Sequence, residues 1–141
     1  MTDVATITNK KLSNEQLLDT VRTKAAHERQ LTVEVIELLQ EVADRDLHLK
    51  MGYGSLLKFC VEELKYSESA AYRRVSVLRL AKDVPSLKED LAAGNLTLQA
   101  ASQAQTFLNQ ERKYLKKSYT PDQKKALVQD IKNKSSRQVE Q

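Results

Sequence analysis

The sequence predicts an all-α fold: a multi-helix domain with a long N-terminal helix and a central helix-turn-helix. Helix formers dominate, since the 141 residues include only three Gly and two Pro and few β-branched runs. Apolar residues recur at spacings of three and four through most of the chain, the period of a helix with one buried face. Cap signals of Ser or Thr with Glu or Gln three residues on punctuate that pattern. At this length, with 40% hydrophobic and 30% charged residues, the chain can bury one core but not two full ones.

The elements follow in order. Residues 1–12 lack periodicity and are expected to form a flexible arm. Ser13 to Gln16 is a capping box that opens a helix or helix pair of about 30 residues, carried by Leu17, Leu18, Val21 and Ala25, then Leu31, Val35, Leu38, Leu39 and Val42. Such length is unusual for a globular domain, so part of this stripe is expected to pack on a second chain, giving a homodimer through residues 13–46.

Gly52 and Gly54 break the pattern, and Ser55 caps the next helix, over residues 55–65. Leu57, Cys60, Val61 and Leu64 form its apolar face. Lys65-Tyr66-Ser67 then makes a turn, and Ala71, Val75 and Leu78 resume the period from Glu68 to Ala81. Residues 55–81 thus read as a helix-turn-helix inside a domain spanning 13–117. Asp83-Val84-Pro85 ends the second helix, Ser86 to Glu89 reads as another capping box, and Gly94 closes a short helix. Thr97 caps a longer one with Leu98, Ala101, Ala104, Phe107 and Leu108 on its apolar side. Thr120-Pro121-Asp122-Gln123 is the clearest start signal and opens the basic C-terminal segment, residues 118–141. Ser135-Ser136-Arg137-Gln138 reads as a further start that stops at once, as in a truncated longer protein.

Several function classes find no support. His27 and His48 stand 21 positions apart in no metal-ligand spacing, and Cys60 has no neighbouring His to activate it. Gly52-Tyr53-Gly54 lacks the third glycine and preceding strand of a phosphate loop, so no cofactor is expected. No run approaches the roughly 18 apolar residues that span a bilayer, and residues 1–11 lack a signal-peptide core. A single Cys makes no internal disulfide. The expectation is a cytoplasmic, non-enzymatic protein without a membrane partner.

Charge points toward a polyanion. Net charge is −2 over residues 1–50, +1 over 51–100 and +5 over 101–141, although a solvated Lys-rich face gives the same asymmetry. In the helix-turn-helix reading, Ser67 caps the second helix, and Glu68, Ser69, Tyr72, Arg73 and Ser76 point outward, where a major groove would be met. Arg73 and Arg74 diverge by about 100° on a helix, so Arg73 is the better base or phosphate contact and Arg74 clamps Glu63 or a flanking phosphate. Arg79 continues the surface, and Lys113, Lys116 and Lys117 add phosphate contacts. Double-stranded DNA is the expected partner, at the nucleoid.

Glu28-Arg29, Val35-Ile36, Leu39 and Glu41-Val42, then Gly52-Tyr53, Ser55-Leu56, Cys60 and Leu64, then Ser67-Glu68 and Ala71-Tyr72-Arg73-Arg74 resemble the helical N-terminal domain of bacterial HNH endonuclease-like proteins. The likeness covers residues 13–108. Ser67 to Leu80 with Leu91 to Ala100 is more loosely similar to the helix-turn-helix of ParB-like partition proteins; the chain departs from the usual helix-turn-helix at Lys65, where Gly is favoured in the turn, and at Val61, where a small residue is usual. No histidine follows His48, so the nuclease metal site is absent from this chain. The resemblance implies the targeting or regulatory half of a nuclease, or a relative that lost its catalytic half. The alternative is a protein-interaction or dimerisation scaffold anchored by Leu38, Leu39 and Val42.

Overall fold

The computed structural model describes residues 9–134 together with 138 and 139. The described residues are helical with connecting turns and contain no strand. The expected arm lies mostly outside them, as does most of the Ser135 to Gln138 start.

Helix α1, Asn14–Asp44, is one continuous rod rather than a pair. Ser13 Oγ accepts the Gln16 N–H at 3.1 Å and Gln16 Oε1 accepts the Ser13 N–H at 2.9 Å, so the capping box forms. Only Val33, Ile36 and Leu39 are buried on it, and residues 13–31 are exposed apart from half-buried Ala25 and Ala26. At 1.5 Å per residue the rod is about 46 Å long, and its N-terminal half projects past most of the core. A short helix α2, Leu47–Lys50, follows a left-handed Asp46 and has no counterpart in the sequence reading.

Helix α3, Leu56–Glu62, is capped by Ser55, whose Oγ accepts the Lys58 N–H at 3.1 Å. Its buried side chains are Phe59 and Cys60. Leu57 and Leu64, expected on the inner face, are exposed instead, because the helix ends at Glu62 and turns its Leu56, Phe59 and Cys60 side to the core.

Helix α4, Glu68–Asp83, is the centre of the molecule, packing against α1 and α3 and against three helices that follow: α5, Leu87–Ala93; α6, Leu98–Leu115; and α7, Pro121–Ile131. Seven of its residues are buried, from Ala71 to Ala81, with Leu80 and Val77 fully enclosed. Ser86 does not cap α5: it already has helical dihedrals, and no side-chain bond forms, because the turn at Pro85 joins Leu87 N–H to Val84 C=O at 3.0 Å. Gly94 does close α5, with φ +85. The Arg29 guanidinium lies against it, and a Cβ there would sit 3.2 Å from Arg29 Cζ.

Thr97 and Thr120 cap α6 and α7 as read from sequence, the second in a complete capping box. Val128 and Ile131 bring α7 into the same core, and Lys124 pairs with Asp83 of α4.

Candidate nucleic-acid interface

The corner between α3 and α4 is built by one left-handed residue. Lys65 has φ +66, which lets the Tyr66 N–H reach the Cys60 C=O at 3.1 Å and the Leu64 N–H reach the Phe59 C=O at 3.3 Å. The α3 carbonyls left open at the helix end are thereby satisfied. Ser67 Oγ accepts the Ala70 N–H at 3.2 Å and starts α4. The connection runs over residues 63–67, two longer than the spacing suggests.

The first turns of α4 are open. Ser67, Glu68 and Ser69 are exposed, Tyr72 is 44% exposed, and Arg73 is partly covered. Ser76, expected to point outward, is buried at 3% exposure, where neighbouring helices enclose α4. It has no path to a ligand. Arg79, two turns beyond Tyr72 on the same side, is exposed again.

Arg74 is a structural residue. Its guanidinium stacks 4.4 Å from the centroid of the Tyr66 ring and its Nη1 donates to the Ala70 carbonyl at 3.0 Å. It does not clamp Glu63, whose Oε2 accepts the Tyr53 hydroxyl at 2.7 Å. That bond is the main reason the Tyr53 phenol is raised above its ordinary 10.0. Cys60, beside Arg74, is fully buried, and burial pushes its thiol above 9.0 while Arg74 draws it partly back. A thiol held neutral this way is a poor nucleophile.

Ser69, Tyr72 and Arg73 form one wall of a groove of about 820 Å³. Its opposite wall comes from α6, with Gln99, Gln103 and Gln110 beside Phe107, and its end from Leu127 and Asp130 of α7. Tyr72 Oη and Thr106 Oγ1, 2.6 Å apart, tie the two walls together. The glutamine wall is absent from the sequence-level site. The signal for it was legible, since positions 99, 103 and 110 share one helical face.

Beyond Gln110 the surface turns basic. Arg112, Lys113, Lys116 and Lys117 are all exposed, as are Tyr114 and Leu115. Lys116 is left-handed, φ +58, and ends α6, with the Lys117 N–H on the Glu111 C=O at 3.1 Å. Lys113 and Lys117 lie 5.3 and 5.2 Å from the ring centroids of Tyr114 and Tyr119. Tyr119 donates to Glu111 at 2.6 Å, which raises its phenol above 10.0. The cluster is therefore cations interleaved with aromatic rings, able to meet phosphates and stack on bases or sugars.

Among the described residues no group of three or more His, Cys, Asp or Glu side chains could hold a metal ion, and no helix is long and apolar enough to cross a membrane. No family model, curated protein or solved structure matches this chain.

Proposed function

We propose that this chain is a duplex-DNA-binding helix-turn-helix module, the targeting or regulatory part of an HNH endonuclease-like protein that works at the nucleoid. The observation that carries this reading is that the N-terminal turns of α4 are open, with Ser67, Glu68, Ser69 and Tyr72 exposed, while Ser76 one turn on is sealed. In helix-turn-helix docking those turns meet base edges while the rest of the helix is held by the domain. Arg73 suits guanine, Glu68 suits cytosine, and Tyr72 suits a sugar or base face. Lys113, Lys116 and Lys117 supply phosphate contacts that carry no sequence information. The sequence likeness quoted above supports the same assignment, with the cutting chemistry left to another domain.

Binding to duplex DNA measured against salt tests it. Affinity falls with a log–log slope of about −0.9 per phosphate neutralised. Absence of duplex binding at low salt removes the reading.

A second reading, a dimerisation or interaction scaffold, is favoured by the exposed leucines of α1, and a homodimer through residues 13–46 belongs to the proposal in either case. A DNA module gains reach by pairing, because two copies present two reading heads to two half-sites.

A further inference from the structure

One stripe of α1 is exposed over its N-terminal half, and further on its Val35 and Val42 also pack against the core. Leu17, Val21, Leu31, Val35, Leu38 and Val42, with Lys24 and Glu28 between them, follow one another at alternating steps of four and three. That spacing keeps a seam turned toward a second helix. Val33 and Ile36, which α1 gives to its own core, lie on another side, and the buried Leu39 borders the stripe beside Val35 and Val42. Leu17, Val21, Leu31 and Leu38 are between 41% and 68% exposed.

The far end of the stripe borders an apolar groove of about 320 Å³, where Val35, Leu38 and Val42 face Phe59, Leu64 and Tyr66. One helix thus carries a free leucine end at Leu17 and Leu18 and an apolar cleft at Val35, about 27 Å further on at 1.5 Å per residue. Each is the complement of the other.

Charge selects the orientation. Lys24 and Glu28 are exposed, and neither takes part in an ion pair among the described residues. In a parallel pair each would face its own copy, burying like charges in the seam. In an antiparallel pair with the two-fold axis beside Ala26, Lys24 faces the partner's Glu28 and Glu28 faces the partner's Lys24. The layers outward are then Val21 with the partner's Leu31 and Leu17 with the partner's Val35, all apolar. The same register brings the partner's Leu17 and Leu18 to the cleft.

We propose that residues 14–38 of α1 form an antiparallel two-stranded coiled coil with a second copy of this chain, in the register that pairs Lys24 with the partner's Glu28. The proposal rests on the dimer reading above and adds its direction and register. Such an interface is isologous and closes at two chains.

Sedimentation of the whole chain without DNA, at tens of micromolar, gives a dimer for the wild type. Lys24→Glu and Glu28→Lys each place like charges in two seam layers and weaken the dimer by about tenfold or more. Mixed one to one, the two variants restore complementary layers and dimerise again. Circular dichroism confirms that each surface variant remains helical. For register, His27→Cys crosslinks to itself across the two-fold axis, Leu17→Cys alone does not, and Leu17→Cys links to Val35→Cys when the two chains are mixed. Cys60 is buried and does not interfere. A monomeric wild type overturns both dimer and register. A dimer in which Leu17→Cys links to itself, or in which Lys24→Glu pairs as tightly as the wild type, overturns the register and leaves the dimer standing.

Discussion

The Tyr72 hydroxyl and the Thr106 hydroxyl meet at 2.6 Å across the line where α4 and α6 form the groove walls. This contact holds the open end of α4 against a helix that leads, a few residues on, into the basic cluster. Thr106→Val keeps the side-chain shape and removes the bond. Because both groups border solvent, the loss is modest, about 0.5–1.5 kcal/mol in a urea unfolding titration.

On the proposed duplex-binding reading, Arg73→Ala weakens binding to a preferred duplex by about 1–3 kcal/mol. Lys116→Ala or Lys117→Ala weakens all duplexes alike and lowers the salt slope by about one. Ser76→Ala leaves DNA affinity unchanged, since Ser76 is buried. Fluorescence anisotropy on specific and random duplexes separates the three outcomes.

Lys65 holds a left-handed conformation, φ +66, at which a side chain is strained and glycine is not. Lys65→Gly therefore stabilises the fold by about 1 kcal/mol, read as a rise in Tm of a few degrees. A fall in Tm would show that the Lys65 side chain contributes more than the strain it carries.

Leu80 is fully buried on the most enclosed helix. Leu80→Ala leaves a cavity at the meeting point of several helices and costs about 2–5 kcal/mol by chemical denaturation.

Stability declines on the alkaline side. Cys60, Tyr53 and Tyr119 all have a pKa raised in the fold, the first chiefly by burial and the two phenols chiefly by donating to Glu63 and Glu111. A group whose pKa is raised on folding contributes fully below its unfolded value and loses that contribution as pH climbs through the folded one. The ordinary values are 9.0 for the thiol and 10.0 for the phenols. Denaturation midpoints accordingly hold up to pH 9 and fall above it. Cys60→Ala removes the first part of the decline.

The caps show what sequence alone determined. Ser13, Ser55, Ser67, Thr97 and Thr120 start helices where their spacing says they should, because a cap bond joins groups three residues apart and needs no tertiary partner. Helical class, the break at Gly52 and the stop at Gly94 are local or compositional in the same sense. Ser86 fails as a cap for an equally local reason, the turn at Pro85.

Tertiary packing decided which faces stayed open. Ser76 and Arg79 read alike on a helical wheel, yet one is sealed and the other exposed, because neighbouring helices close over α4 at the first. Arg74 was spent on Tyr66 and a backbone carbonyl rather than on Glu63. The groove joins residues 69–73 to 99–110 and 127–130, segments whose proximity follows from burial of side chains far apart in the chain. Periodicity assigns a residue to one side of its own helix; what covers that side is settled by apolar surface contributed from elsewhere.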